Sequence, residues 1–302
     1  AIQKVTEEIV LKMAMEARRL TGAEYLCLAG GVALNCVANG NLLQEKIFKN
    51  IFIQPAAGDA GGAVGAALAA NFIYFAEERK ADDKIDQMSG SYLGPDYSIK
   101  EIELMNRRVK AVCIRYDDFS KLSKDISSKI AQDNIVGWFQ GKMEFGPRAL
   151  GNRSILADAR NPEMQKKLNL KIKYREGFRP FAPSVMAENI REYFDLETDS
   201  PYMLFTAPVN QDRRNKLPDQ FHDLSVRDKL YYTRSDIPSV THIDFSARIQ
   251  TVHKETNPRY WQLIRDFKEL TGCGVLINTS FNVRGEPMVC TPNDAYRCFM
   301  ST

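Results

Sequence analysis

Two short apolar segments each lead directly into a glycine-rich turn and then into a helical pattern. The first covers residues 25–29 (Y-L-C-L-A) and is followed by Gly30 and Gly31. The second covers residues 50–54 (N-I-F-I-Q) and is followed by a turn that contains Asp59. A repeated order of strand, tight turn and helix is typical of an α/β layer in which ligands bind at the strand ends. The sequence therefore predicts an α/β fold.

This α/β unit is too small to be complete. With an amphipathic helix predicted over residues 6–20, it supplies only two or three strands. We expect the rest of its sheet to come from residues that precede Ala1 or from another chain. The helix that follows, over residues 60–75, has mostly small side chains and is expected to pack closely against a neighbour.

The polar residues of these turns have structural alternatives. Gly30 and Gly31 also fit a packing turn in which only glycine is accommodated, and Asp59 also fits a helix N-cap. In the alternative that involves a ligand, the glycines admit it to the backbone and Asp59 contacts it. The sequence alone leaves both possibilities open.

A second ligand site is predicted after the apolar segment 135–139, which reads as a buried strand. The loop that follows carries Lys142, Arg148 and Arg153 together with three glycines. Glycines let the backbone approach a ligand, and the cations can bind phosphate or carboxylate oxygens. Residues 137–179 contain ten Lys or Arg but four Asp or Glu, whereas the whole chain has a net charge of +3. This concentration of charge predicts a local anion site.

Not every cation in that range is expected to bind a ligand. Four lysines between residues 166 and 173 have helical spacing, which favours a solvated basic helix face. In contrast, Lys142, Arg148 and Arg153 alternate with Gly, Pro and Asn, which is more typical of a phosphate site.

Two later segments add candidate residues. The pattern of residues 240–252 predicts a strand carrying Arg248, for which a surface ion pair and a ligand contact are equally open. Residues 275–282 predict a buried strand that ends in neutral hydrogen-bonding side chains suited to a phosphate or amide ligand. These side chains belong to Asn278, Thr279, Ser280 and Asn282.

Periodicity and turn residues predict the remaining elements. Further strands are expected over 111–115 and 202–209, and helices over 119–131, 162–171 and 258–270. A charged linker is expected over 77–91, a proline-stiffened extended segment over 178–184 and an exposed excursion over 210–232. We place a domain boundary near Tyr92, which divides the chain into residues 1–91 and 92–302.

Composition limits the classes of function. The length of 302 residues suggests two domains, and 44% hydrophobic with 26% charged residues is ordinary for a globular protein. No apolar run is long enough for a membrane span. The six cysteines form no C-x-x-C pair, and the three histidines are not spaced as a metal-binding pair. We therefore expect a cytoplasmic protein with reduced thiols, without a zinc ribbon or a histidine-rich metal centre.

Four motifs in this order resemble the C-terminal half of the O-carbamoyltransferases that modify nodulation factors and antibiotics. They are G-K-M-E-F-G-P-R-A-L-G-N-R-S, R-P-F-A-P-S, D-F-S-A-R-I-Q-T-V and N-T-S-F-N with G-E-P. The resemblance implies that residues 1–91 form the second half of an actin-like ATPase domain related to tRNA threonylcarbamoyl-transfer enzymes. It also implies that residues 92–302 form a YrdC-like domain.

The resemblance further implies a two-step reaction. Carbamoyl phosphate and ATP would form carbamoyl adenylate in the YrdC-like domain, and the actin-like domain would transfer the carbamoyl group to a hydroxyl of a small molecule or saccharide. Divalent metals are implied, with Mg²⁺ accompanying the nucleotide and iron or a similar metal in a complete actin-like domain. A homodimer is a compatible assembly, and neither a membrane nor a nucleic acid is an expected partner.

Site residues follow from the same resemblance. Lys142, Arg148, Arg248 and Ser280 would act on carbamoyl phosphate and nucleotide, with Arg153, Asn282, Asn278 and Thr279 also binding substrate. Gly30, Gly31 and Asn35 would contact nucleotide, and Asp59 would bind metal. Ser280-Phe281-Asn282 also resembles the S-x-N signature of YrdC proteins.

The sequence departs from the family pattern because the expected metal-binding histidines are missing, and we expect the chain to be a fragment. Three alternative functions are less compatible with the sequence. An RNA-binding YrdC-like module is disfavoured because aromatic residues are not interleaved with the cations. A hydrogenase-maturation carbamoyltransferase would carry C-x-x-C pairs. A regulatory nucleotide-binding domain would bind ATP without forming pyrophosphate.

Overall fold

The computed structural model describes residues 2–80, 82 and 86–302 and shows a mixed α/β fold, as predicted. The helices are α1 (Ile2–Thr21), α2 (Cys36–Gln44), α3 (Asp59–Ala69), α4 (Ile99–Val109), α5 (Phe119–Ala131), α6 (Met164–Lys167), α7 (Ile190–Tyr193), α8 (Val226–Tyr231), α9 (Pro258–Thr271) and α10 (Pro292–Met300). The strands are β1 (Tyr25–Leu28), β2 (Asn50–Ile53), β3 (Val136–Phe139), β4 (Arg153–Asp158), β5 (Ala182–Met186), β6 (Phe205–Pro208), β7 (Ser246–Val252) and β8 (Val275–Ser280).

The strands form two sheets. β1 and β2 are parallel neighbours in a two-stranded sheet. The other six form a mixed sheet in the order β3-β4-β8-β5-β7-β6, in which β5 and β7 are parallel and the other pairs are antiparallel. The larger sheet lies entirely within the residues after 92.

Side chains of the central strands alternate between two apolar cores. In β8, Val275 and Ile277 face one core and Leu276 faces the other. Helices α5 and α9 cover the second face with residues such as Ile130 and Phe267, which are fully buried. Because both faces are covered, the middle parts of the central strands are apolar, as in residues 155–157 of β4 and 275–277 of β8.

A third core joins the N-terminal unit to the large sheet. It contains Leu42 and Ile51 from the α2–β2 region together with Leu150 and Phe205 from the later part of the chain. Gly40 of α2 lies so close to β6 that an added Cβ would be 2.4 Å from the carbonyl oxygen of Thr206. The two units therefore pack directly on each other.

Strand register brings several loops to one end of the large sheet. Arg153 at the start of β4 pairs with Phe139 at the end of β3, and Ser154 pairs with Ser280 at the end of β8. Ala182 at the start of β5 pairs with Asn278. Four segments therefore meet at this end of the sheet: the loop between β3 and β4, the segment after β8, the segment before β5 and the start of β7.

Most predicted elements are confirmed with small shifts of their ends. The helices expected over 6–20, 119–131 and 258–270 correspond to α1, α5 and α9, and the strands expected over 25–29, 50–54 and 275–282 correspond to β1, β2 and β8. The strand over 135–139 begins one residue later, and the strand over 202–209 is confined to β6. Residues 81 and 83–85 of the predicted linker 77–91 lie outside the described residues.

Three element predictions need correction. Residues 111–115 form no strand, because no neighbouring strand pairs with them, and the side chain of Ile114 is 78% exposed. The helix expected over 162–171 is α-helical only in α6 and continues as a π-helix over Leu168–Ile172. Within 240–252, only β7 is a strand, since residues before Ser246 form turns.

The small-sided helix α3 also differs from expectation. None of its residues is buried, so its predicted close packing partner does not lie among the described residues. Its N-cap is Gly58, and Asp59 is the first helical residue rather than the cap. Among the described residues, no helix has both the length and the apolar character needed to cross a membrane.

Candidate active site

The loop of residues 140–152 is held from beneath by a buried carboxylate. Glu144 is 4% exposed, and its Oε1 accepts hydrogen bonds from the backbone N–H groups of Leu150 (2.7 Å), Asn152 (2.8 Å) and Arg153 (3.3 Å). Burial raises the pKa of Glu144, whereas these N–H groups favour its charged form and act in the opposite direction. The carboxylate replaces the strand partners that this loop lacks.

A side-chain network fixes the end of the same loop. The carbonyl oxygen of Leu150 accepts hydrogen bonds from the Tyr92 hydroxyl and the Gln250 amide, each at 2.7 Å. The Nδ2 atom of Asn257 donates to the Tyr92 hydroxyl and to Oδ1 of Asn152, both at 2.9 Å. An added Cβ at Gly151 would lie 2.2 Å from the Tyr260 ring. The loop is therefore rigidly placed before any ligand binds.

Arg153 is part of the hydrogen-bond network that holds this loop. Its guanidinium is fully buried, lies 3.7 Å from the centre of the Phe139 ring and donates to the carbonyl oxygens of Gln140 (2.8 Å), Gly141 (3.1 Å) and Pro95 (3.2 Å). These contacts account for most of its donors, although Nε is buried without a partner. Arg153 therefore stabilises the backbone of the loop, and its predicted contact with substrate stays a prediction.

Arg148 and Arg248 form a pair of cations without an acidic partner among the described residues. The Nε atom of Arg148 is buried and unpaired, and its Nη2 makes one long contact of 3.5 Å with the carbonyl oxygen of Leu34. Burial, and next the neighbouring Arg148, lower the pKa of Arg248 to about 10. The like charges of the two guanidinium groups disfavour each other, so a bound anion near them would be favoured.

A cavity of about 220 Å³ lies at the same end of the large sheet. Four cations and one acid line it, together with the polar residues that follow β8. The lining residues are Lys173, Arg175, Glu176, Arg179, Ser280, Asn282, Val283, Arg284 and Gly285. The Nε atom of Arg179 forms an ion pair of 3.0 Å with Glu176, which leaves the cavity with an excess of positive charge. Such a lining is suited to phosphate groups.

Lys173 is the most deeply buried cation of this cavity, with 5% of its surface exposed. Its Nζ donates to the carbonyl oxygen (2.9 Å) and the side-chain oxygen (2.8 Å) of Asn282, and also to the carbonyl oxygen of Ser280. Burial, and next the charge of Arg175, lower the pKa of Lys173 to about 7. The surrounding oxygens favour the ammonium form, and an arriving anion would favour it further.

The buried position of Lys173 corrects the prediction of a solvated lysine face over 166–173. Lys167 fits that prediction, because its ammonium donates to the carbonyl oxygen of Asp133 in an exposed hydrogen bond. Lys173 does not fit this prediction. The π-helix ends at Ile172, and the next side chain turns towards the end of the large sheet. Sequence reasoning therefore missed Lys173 and Arg175 as site residues.

The structure brings together two of the four polar residues that were predicted at the end of the strand 275–282. The Ser280 hydroxyl donates to Oδ1 of Asn282 at 2.7 Å, and both residues line the cavity. Asn278 is 1% exposed and instead donates to Oε1 of Gln250 at 2.8 Å, within the scaffold beneath the loop. Thr279 is partly buried and does not line this cavity.

Lys142 lies on the exposed surface of the loop. Its carbonyl oxygen accepts a hydrogen bond of 2.7 Å from the Asn152 side chain, which fixes the backbone there. Its ammonium forms no hydrogen bond or ion pair with the residues that the structure describes. Its predicted role rests on its position in the loop.

The N-terminal glycine turn lies close to Arg148. Gly30 has φ +92°, and an added Cβ at Gly30 or Gly31 would meet no atom within 4 Å, so packing does not demand the second glycine. Asn35 caps α2 by accepting a hydrogen bond of 3.1 Å from the N–H of Ala38, and it also bonds to Gln3. Open space beside the glycines is compatible with a ligand, and the Asn35 side chain is already engaged.

The implied metal does not fit the residues at Asp59. This residue is exposed at the start of α3, and among residues 2–80, 82 and 86–302 no group of three or more His, Cys, Asp or Glu side chains could hold a metal ion. A stable site for iron or a similar metal needs three or four protein ligands. The described residues therefore do not form that site by themselves.

We expect Asp59 to retain no metal tightly in this chain. After incubation with Fe²⁺ or Mn²⁺ and dialysis, elemental analysis should find well below one metal ion per chain, because a single carboxylate has low affinity. Asp59→Asn should give the same content as the unchanged protein. A stoichiometric metal ion that is lost in Asp59→Asn would contradict this expectation.

The chain belongs to the carbamoyltransferase family. Residues 127–302 match the family model described as the carbamoyltransferase C-terminus, and residues 1–68 match that of the carbamoyltransferase N-terminus. The resemblance predicted from the four motifs is thereby confirmed at the level of the family.

Several curated proteins are similar over the whole chain. An uncharacterized protein of Synechocystis sp. is 59% identical over 100% of this chain and 49% of its own length. Nodulation protein NolNO of Sinorhizobium fredii is 39% identical over 100% of this chain and 41% of its own. The 3'-hydroxymethylcephem-O-carbamoyltransferase of Streptomyces clavuligerus is 31% identical over 97% and 49%. The chain spans about half the length of the curated relatives it matches.

A solved structure shows a weak likeness. Full-length HypF in its phosphate- and nucleotide-bound form aligns with a TM-score of 0.36 and 14% identity, over 63% of this chain and 20% of that chain. A likeness this weak carries no argument about the present chain.

Proposed function

We propose that this chain carries the donor-activating site of an ATP-dependent O-carbamoyltransferase. The observation that supports this most is a group of cations at one end of the large sheet that form no ion pair with the described residues, namely Arg148, Arg248, Lys173 and Arg175. Carbamoyl phosphate and ATP are both anions, and a site that binds them together needs this excess of positive charge.

In the proposed reaction, carbamoyl phosphate and ATP yield carbamoyl adenylate. Water attacks the phosphorus of carbamoyl phosphate and breaks its bond to the carbamoyl oxygen, which gives inorganic phosphate and carbamate. A carbamate oxygen then forms a bond to the α-phosphorus of ATP, and pyrophosphate leaves. Mg²⁺ would enter with the nucleotide. Cations that are fixed before the ligands arrive can stabilise charge on the phosphate oxygens without a protein nucleophile.

The residues fall into separate roles in this proposal. Arg148 and Arg248 bind the phosphate of carbamoyl phosphate, and Lys173 with the Ser280–Asn282 pair binds the phosphates of the nucleotide. Lys142 adds charge at the loop surface. The turn at Gly30 and Gly31 admits nucleotide in an N-terminal unit that is actin-like, while the sheet after residue 92 is YrdC-like.

The second step, transfer of the carbamoyl group to a hydroxyl, completes the proposal. The relative from Streptomyces clavuligerus is an O-carbamoyltransferase by name, which supports a hydroxyl as acceptor. Nodulation proteins among the relatives are compatible with a saccharide acceptor, and the cephem enzyme with a small molecule. The chain covers about half of these proteins, so the acceptor site belongs to the proposal for the whole protein.

Pyrophosphate release tests the donor-activating step. The purified chain with ATP, Mg²⁺ and carbamoyl phosphate should release pyrophosphate, and omission of any one of the three should abolish it. Arg248→Ala, purified in the same way, serves as the control for contaminating ATPases because its site would lack one of the paired guanidiniums. Release that is independent of carbamoyl phosphate would contradict the proposal. ATP binding without any pyrophosphate would favour a regulatory nucleotide-binding domain.

A further inference from the structure

Glu144 closes the loop between β3 and β4 at one end of the large sheet. Its Oε1 gathers the N–H groups of Leu150, Asn152 and Arg153, so the five residues from 145 to 149 project as an apex between the two ends. Arg148 lies on this apex. A charged acceptor that binds several N–H groups is roughly twice as strong per bond as a neutral one, so the closure depends on the carboxylate.

The surroundings of Glu144 make the carboxylate difficult to replace. The side chain is 4% exposed, and its Oε2 is buried without a hydrogen-bond partner. No ion pair of Glu144 is found in the described part of the chain. Burial lowers the pKa of Arg153, and the charge of Glu144 only partly opposes this shift. Burial of a carboxyl group costs free energy, and the three backbone N–H groups are the hydrogen-bond partners that offset this cost.

The apex is also pinned from the N-terminal side. The N–H of Phe145 donates to the carbonyl oxygen of Ser91 at 2.6 Å, and the Ser91 hydroxyl donates to the carbonyl oxygen of Phe145 at 2.5 Å. Gly146 has φ +138°, and an added Cβ there would be 3.1 Å from the carbonyl oxygen of Pro55. The backbone beneath Arg148 therefore has little freedom.

The guanidinium of Arg148, in contrast, is held weakly by its own contacts. Its one hydrogen bond among the described residues is the 3.5 Å contact with Leu34, and its Nε is buried without a partner. The position of this side chain is thus set by the backbone that carries it, and that backbone is closed by Glu144.

We propose that Glu144 is a positioning residue that acts through Arg148, by holding the loop apex where the guanidinium meets the oxyanion. The inference rests on the proposed role of Arg148 in binding the phosphate of carbamoyl phosphate. A carboxylate with a purely structural task would stabilise the fold without any specific link to Arg148.

A double-mutant cycle on phosphate binding separates these cases. Inorganic phosphate is titrated calorimetrically at pH 7 into the unchanged chain, Glu144→Gln, Arg148→Ala and the double variant. We expect Glu144→Gln to weaken phosphate about tenfold and Arg148→Ala about thirtyfold or more. Glu144→Gln added to Arg148→Ala should cost less than about twofold further, because the group it positions is gone.

Controls keep the result specific. Ile190→Val, a mild change in another core cluster, should lower the unfolding temperature and leave phosphate affinity unchanged. If Glu144→Gln does not fold, Glu144→Asp provides the same cycle, since its shorter carboxylate keeps the charge and reaches fewer of the three N–H groups.

The outcomes distinguish the inference from the proposed function. Unchanged phosphate affinity in Arg148→Ala would overturn the role of Arg148 and the inference with it. A loss in Arg148→Ala combined with less than a twofold effect of Glu144→Gln would overturn the inference alone. Equal effects of Glu144→Gln in both backgrounds would likewise show that the carboxylate does not act through Arg148.

Discussion

Arg148→Lys should slow carbamoyl-phosphate-dependent pyrophosphate release nearly as much as Arg148→Ala. The expected loss of transition-state stabilisation is about 2–4 kcal/mol. Lysine keeps the positive charge but loses the planar pair of donors that can bind two oxygens at once. The guanidinium of Arg148 makes a single long hydrogen bond of 3.5 Å among the described residues, so its other Nη donors can bind a ligand. Initial rates at saturating ATP, with carbamoyl phosphate varied, would measure the effect as a change in kcat/KM.

The comparison needs variants at neighbouring and distant cations. Lys142→Ala should also lower the rate if its ammonium reaches the phosphate, as the sequence predicts. Lys167→Ala should change the rate little, because that side chain bonds to the carbonyl oxygen of Asp133 on the exposed surface. Thermal unfolding of each variant controls for folding. Near-normal rates in folded Arg148→Ala and Lys142→Ala would refute the site assignment.

Lys173→Met should have an effect of similar size, about 3 kcal/mol or roughly a hundredfold loss of ATP-dependent turnover. Methionine fills a similar volume but leaves the carbonyl oxygens of Ser280 and Asn282 without their donor and removes one cation from the cavity. Lys171→Ala is the matched control, since Lys171 is exposed. A folded Lys173→Met chain with normal ATP affinity and turnover would show that the cavity does not bind the nucleotide.

The same lysine predicts a dependence on pH. The pKa of Lys173 falls from its ordinary 10.5 to about 7 on folding, so an oxyanion meets an ammonium below pH 7 and increasingly a neutral amine above it. Affinity for ATP should therefore decrease between about pH 6.5 and 8.5, and this dependence should be lost in Lys173→Met. For folding the sign is opposite: between pH 7 and 10.5 the unfolded chain binds more protons at Lys173, so this group makes stability rise with pH.

Elements with strong local signals could be predicted from the sequence, and elements that depend on a partner could not. The amphipathic pattern of α9 and the buried run of β8 each identify themselves over several residues. Residues 111–115 have the composition of a strand, but a strand also requires a neighbour to pair with, and none of the described strands pairs with them. Sheet order was likewise beyond the sequence, because it depends on contacts distant along the chain.

Within the site, the cations of the β3–β4 loop were predicted because glycine and proline separate them. Lys173 was assigned to a solvated face because its spacing from Lys166 and Lys167 is helical. The residues after it, with Arg175, Gly177, Arg179 and Pro180, show the same mixture of cations and turn residues as the predicted loop. That signal could have identified the second group of cations. The π-helix that turns Lys173 inward has no comparable signal.

The contact between the loop apex and the N-terminal turns limits how such proteins can exchange parts during evolution. Gly146 rests on Pro55, and Arg148 reaches the carbonyl oxygen of Leu34, so the surface of one unit sets the position of a cation in the other. A recombinant that joins the first unit of one relative to the second unit of another would inherit two surfaces that had not been selected together. Both contacts are to backbone carbonyl oxygens, so a change that moves the backbone at residue 34 or 55 would have to be matched by a change at 145–149.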